Sequence, residues 1–93
     1  MNATLRWYGG NTELADQLAA RGDEIRKLIG DVPGVRAYFL VRTEGGTVSV
    51  TVADDEAGVE ESNKVAASWL QANMPEAVTT PPQTSMGEVV LSL

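Results

Sequence analysis

Apolar and polar residues alternate through Ala3-Thr-Leu-Arg-Trp-Tyr8, the two-residue period of a strand. Gly9-Gly10 breaks the pattern, and Asn11 or Thr12 can cap a following helix. There Leu14, Ala15, Leu18, Ala19, Ile25, Leu28 and Ile29 recur at spacings of three and four, with most charged residues off the stripe. Asp23 and Lys27 stand four apart in the favourable order for a helical pair. Val32-Pro33-Gly34 reads as a turn, since proline presets the first central φ and glycine tolerates a positive second one. Alternation returns in Val35 to Arg42 and Thr47 to Ala53, joined at the tip Thr43-Glu-Gly-Gly46. Asp54-Asp55-Glu56 opens a second helix whose buried stripe is Ala57, Val65, Ala66, Trp69, Leu70 and Met74. A last strand closes the chain at Met86 to Leu93.

The spacing predicts strands near 2–8, 35–42, 47–54 and 85–92, with helices near 12–30 and 55–74. The order is β-α-β-β-α-β over residues 1–93. It implies one ferredoxin-like α+β domain, a four-stranded antiparallel sheet with two helices on one face. The other face must meet water or a partner. By the rule that apolar residues face the core, Ala3, Leu5, Trp7, Val35, Ala37, Phe39, Val41, Val48, Val50 and Val52 are expected beneath the helices. The spare face is then Thr4, Arg6, Tyr8, Arg36, Tyr38, Leu40, Arg42, Thr47, Ser49 and Thr51. Its mixture of hydroxyls, tyrosines and arginines suits a semi-polar cavity or an interface. A homodimer formed through that face is therefore expected, because a monomer would expose Tyr8, Tyr38, Leu40 and Val90 together.

Composition narrows the chemistry. A net charge of −6 with seven scattered basic residues argues against nucleic acid as a partner. The chain has no cysteine and no histidine. That removes disulfides, thiolate metal sites, the cysteine nucleophile and the commonest general base. No window is apolar enough to span a membrane, and no secretory pattern opens the chain, so a cytoplasmic protein is expected. No transition-metal, haem or dinucleotide signature is present; the expectation is a protein with no cofactor.

Val32-Pro33-Gly34-Val35, the tip Glu44-Gly45-Gly46, Asp54-Asp55-Glu56-Ala57-Gly58, Glu61-Ser62-Asn63, Ala67-Ser68-Trp69-Leu70 and Gly87-Glu88-Val89-Val90 carry a resemblance over nearly the whole chain. The chain resembles the antibiotic-biosynthesis-monooxygenase type of small protein in the dimeric α+β-barrel superfamily. The resemblance implies sheet-to-sheet pairing of two copies. It also implies a choice of activities: cofactor-free oxygenases, haem degraders, isomerases and members with none. The haem-degrading branch uses an asparagine on the first strand with a tryptophan and a histidine on the second helix. Asn2 and Trp69 approximate two of these, but the missing histidine argues against haem cleavage. The cofactor-free branch uses asparagine, tryptophan, tyrosine and arginine to hold a phenolic substrate. Asn2 or Asn73, Trp7 or Trp69, Tyr38, and Arg6 or Arg36 supply those residue types.

Candidate ligand-binding residues are Arg6, Tyr8, Tyr38 and Trp69. Trp69 is also a core residue by its place on the helical stripe. The acidic run Asp54 to Glu56 is read as a helix cap rather than a cation site, since it lacks EF-hand spacing. Gly9-Gly10 is read as a turn rather than an anion cradle. The leading function is a dimeric monooxygenase-like protein binding a small aromatic molecule between sheet and helices or between sheets, its catalytic form a cofactor-independent oxygenase. The competing reading is a non-catalytic dimeric module whose interior is filled by its own side chains.

Overall fold

In the computed structural model, which describes residues 1–93, the elements are β1 (Asn2–Gly9), α1 (Glu13–Ala20), α2 (Gly22–Gly30), β2 (Val35–Arg42), β3 (Gly46–Ala53), α3 (Glu56–Asn73), a 3₁₀ turn (Pro75–Val78) and β4 (Gln83–Glu88). The sheet order is β2-β3-β1-β4 with every pair antiparallel. This is the ferredoxin-like α+β arrangement.

Two boundaries differ from expectation. The first helix is broken at Arg21, whose φ of −112° and ψ of 33° leave the helical range, so α1 and α2 are separate. The last strand runs earlier than 85–92: Gln83 pairs with Trp7 and Glu88 with Asn2, where β1 itself begins. The Val89 N–H still reaches the Met1 carbonyl at 2.9 Å, but beyond it the partner strand has run out, and Val90, Leu91 and Leu93 are exposed.

The turns follow from local chemistry. Gly34 adopts φ +86°, as the turn after Pro33 requires. Gly10 adopts φ +79°, and its N–H donates to the Gly45 carbonyl at 2.7 Å, tying the β1–α1 turn to the hairpin tip. That amide is used internally rather than presented to an anion. Asn11 Oδ1 accepts the Leu14 N–H at 3.1 Å at the start of α1. Asp55 is extended, and its Oδ1 accepts the Gly58 N–H at 2.9 Å, capping α3. The Asp23–Lys27 pair does not form; Asp23 pairs with Arg26 and Lys27 with Asp31.

The expected faces are reversed. Thr4, Arg6, Tyr8, Thr47, Ser49 and Thr51 are buried beneath the helices. Tyr38 and Leu40 also pack against the core formed by Leu14, Leu18, Ile25, Ile29, Ala66 and Leu70. The side away from the helices carries three cross-strand rows: Ala3–Val52–Ala37, Leu5–Val50–Phe39 and Trp7–Val48–Val41. Leu5, Phe39 and Val41 are 44%, 59% and 43% exposed. Trp7 is accordingly on the open face, beside the glycines of the hairpin tip. Val35 alone of the apolar set faces the helices as expected, because a bulge between Val35 and Ala37 shifts its parity.

The hydroxyls explain the reversal. Alternation fixes which residues share a face, but not which face the helices choose. Thr47 Oγ1 accepts the Ala15 N–H at 3.1 Å, and its hydroxyl donates to the Asn11 carbonyl at 2.8 Å. Thr4 donates to Asn63 Oδ1 on α3 at 3.1 Å. Side chains that looked solvated therefore dock the helices, and leucine and isoleucine from α1 and α2 supply the apolar filling.

Candidate functional site

Arg6 stands near the middle of β1 and is only 4% exposed. Its Nη1 donates to Asn63 Oδ1 on α3 at 2.6 Å. Of the seven basic side chains, Arg21, Arg26, Lys27, Arg36 and Arg42 pair with carboxylates. Arg6 and Lys64 do not, and Lys64 is in water. Arg6 is thus the one buried cation, and no acid faces it. Its Nε makes no hydrogen bond within the protein, and neither do the buried Ser49 Oγ and Thr51 Oγ1.

Arg6, Tyr8, Tyr38 and Trp69 line one cavity with Ser49 and the apolar Leu18, Ile25, Leu28, Ile29, Ala66 and Leu70. The strands set this convergence. Arg6 lies opposite Ser49 on the neighbouring strand, two residues from Tyr8, and Tyr38 enters from β2 opposite Thr51. The enclosed space is about 20 Å³, room for one water-sized species. Leu18, Ile25 and Tyr38 are shared with a wider groove of about 390 Å³ that opens beside α1, α2 and β2. Leu40, Arg26 and Arg42 also line it.

Burial pushes the Tyr8 and Tyr38 hydroxyls above the ordinary tyrosine range, against the opposing pull of the Arg6 charge. Both phenols therefore hold their protons at neutral pH and can donate as well as accept. Trp69 forms a half-buried wall. Its Nε1 donates to Glu24 Oε2 at 2.8 Å, and the Arg21 guanidinium lies 4.7 Å from its ring centroid. The Trp69 hydrogen bond is the main reason the Glu24 carboxyl sits below the usual range, with Arg21 adding to it. Arg21, at the α1–α2 break, so fastens α2 to α3 beside the cavity.

The four candidate residues thus come together, though under the helices rather than on a spare face. Arg36 is outside, paired with Asp54. Asn2 lies at the end of β1, and Asn73 bonds to the Trp69 carbonyl at 2.9 Å on the exterior. The asparagine that meets the cavity residues is Asn63. Its signal was a polar residue one turn before Ala66 on the buried stripe of α3. Ser49 was assigned to the open face.

The fold defines a class: a ferredoxin-like α+β protein. Among solved structures, the chain is similar to the NE2512 protein of unknown function from Nitrosomonas europaea, with 22% identity, TM-score 0.73, and coverage of 99% of this chain and 91% of that one. It is similar to the heme-degrader MhuD from Mycobacterium tuberculosis at 18% identity and TM-score 0.69, covering 100% and 99% of the two chains. SnoaB, a cofactor-independent oxygenase from Streptomyces nogalater, aligns at 15% identity and TM-score 0.58 over 99% and 94%. No family model and no curated protein matches the chain. At these identities the likeness is one of fold.

The residues present do not fit haem. The chain offers neither histidine nor cysteine as an axial donor, and the cavity of about 20 Å³ between the two tyrosines and Trp69 has no room for a porphyrin. No helix is long and apolar enough to cross a membrane.

Proposed function

We propose that this protein binds a small aromatic molecule between its sheet and helices, and pairs with a second copy through the opposite face of the sheet. The observation that carries the reading is that the water-sized cavity where Arg6, Tyr8, Tyr38 and Trp69 converge shares Leu18, Ile25 and Tyr38 with a groove of about 390 Å³ that has room for an aromatic ring. Few polar groups set in an apolar lining are what orient a small ligand. The apolar rows centred on Leu5, Val50 and Phe39 support self-association, since such a face is costly to leave in water.

The reaction such a site would support is oxygenation of a phenolic ring without a cofactor. Dioxygen takes a ring C–H hydrogen and the phenolic hydrogen; one oxygen enters as the new quinone carbonyl, and the other leaves as water. No outside reductant is needed. The chain's part is to seat the ring on Leu18, Ile25 and Tyr38 and to hydrogen-bond its oxygen from the cavity beyond them.

The test is titration of Trp7→Phe protein, leaving Trp69 as the only indole, with 2-naphthol and a naphthoquinol, alongside dioxygen uptake. Saturable quenching supports the cavity, and uptake with quinone formation supports the reaction. Binding without uptake removes the reaction. No quenching favours the non-catalytic module.

A further inference from the structure

We infer that this small cavity is a carboxylate subsite, built by Arg6 Nε and Ser49 Oγ, and that the ligand is an aromatic acid whose ring lies in the adjoining groove. The inference rests on the aromatic-cavity reading and names the ligand class.

Arg6 is 4% exposed and Ser49 2%. A buried guanidinium without a counter-charge costs several kcal/mol in general, so a lone one marks a place where an anion is to arrive. Asn63 neutralises none of that charge; it fixes the Nη1 end of the guanidinium at 2.6 Å. The Nε–H and the Ser49 hydroxyl remain without protein partners. These two residues are direct cross-strand neighbours on the same face, and both line the cavity. Facing side chains in such a pair start about 5 Å apart at Cβ. That separation suits two donors on the two oxygens of one carboxylate.

The chain has a net charge of −6, yet the cavity and its adjoining groove are lined by Arg6, Arg26 and Arg42 and by no aspartate or glutamate. Arg26 and Arg42 are each neutralised by an ion pair, with Asp23 and Asp16 respectively. An acid entering by the groove seats its ring on the shared walls Leu18, Ile25 and Tyr38 and reaches Arg6, the one arginine there without a carboxylate partner. A neutral aromatic can accept from Arg6 Nε and Ser49 Oγ but would leave the buried Arg6 charge without a counter-charge.

The experiment compares 2-naphthoate with 2-naphthamide, equal in shape and unlike in charge, on the full chain carrying Trp7→Phe. The subsite predicts at least tenfold tighter binding of the acid. Arg6→Met removes the preference, and Ser49→Ala reduces it. Asn63→Asp, which gives Arg6 an internal carboxylate, suppresses it while keeping the arginine. Arg6→Met should fold with undiminished stability, because it removes an unpaired buried charge; if it does not, the Ser49 and Asn63 variants carry the comparison. Equal affinity for acid and amide in the parent overturns the subsite and leaves the aromatic cavity standing. A preference that survives these substitutions also overturns it. Binding of neither ligand overturns both readings.

Discussion

Arg6 Nη1 and Asn63 Oδ1 meet at 2.6 Å, joining the centre of β1 to the middle of α3. Asn63 Oδ1 also accepts from Thr4 at 3.1 Å. One amide oxygen thus anchors a helix over the sheet and aims a buried cation. Asn63→Leu should cost about 2–3 kcal/mol, the penalty for stranding a charged donor. Urea unfolding measures it. Combining Asn63→Leu with Arg6→Met should recover much of the loss; simple additivity would show that the two residues act independently.

The open sheet face predicts a species of twice the 9.9 kDa chain mass at micromolar concentration. Phe39 is its most exposed large residue. Phe39→Lys should shift sedimentation to the monomer while leaving a folded chain, since the side chain leaves no cavity in the helix-side core. A parent chain sedimenting as a monomer would remove the pairing.

Gly58 sits in the first turns of α3, where alanine would ordinarily gain about 1 kcal/mol in helix propensity. Here an added Cβ would lie 2.8 Å from Ala53 Cβ and 3.3 Å from the Pro33 carbonyl oxygen. The crowding outweighs the propensity. Gly58→Ala should destabilise by about 1–3 kcal/mol, read as a lowered thermal midpoint; a raised midpoint would show that α3 moves away freely.

Both tyrosines of the chain line the cavity, Tyr8 buried and Tyr38 partly so, and both ionise above the ordinary tyrosine range because burial disfavours the phenolate. The folded protein therefore holds these protons more tightly than the unfolded chain. Their contribution is full below pH about 10 and falls as pH rises through the folded values. Phenolate absorbance should appear late and together with loss of tertiary structure. Early titration of either tyrosine in folded protein would contradict their placement.

Much of this fold was legible because strand and helix periods differ. The hairpin Val35 to Ala53 and the stripe Leu14, Leu18, Ile25, Ile29 could be read from spacing alone. The choice of face could not. Alternation groups Thr4 with Arg6 and Tyr8, but the docking bonds of Thr47 to α1 and Thr4 to Asn63 decide that this group lies inward. The helix break at Arg21 precedes Gly22, a poor helix former whose signal the continuing apolar stripe concealed. The apolar tail Val89 to Leu93 reads as strand, yet only Met1 remains to meet it, and its carbonyl accepts the Val89 N–H at 2.9 Å. Arg6, Tyr8 and Tyr38 were candidates because they shared a face. Ser49 shared it too, but its role depends on standing opposite Arg6, which needs the β1–β3 register.

The central claim is that the ligand site lies between sheet and helices, and the apolar outer face serves self-association. Amide chemical-shift mapping during titration with an aromatic ligand tests it most directly. The account predicts saturable shifts at Arg6, Tyr8, Tyr38, Ser49 and Trp69, with Leu5, Phe39 and Val41 unmoved. Shifts confined to Leu5, Phe39 and Val41 would put the ligand between sheets and contradict it.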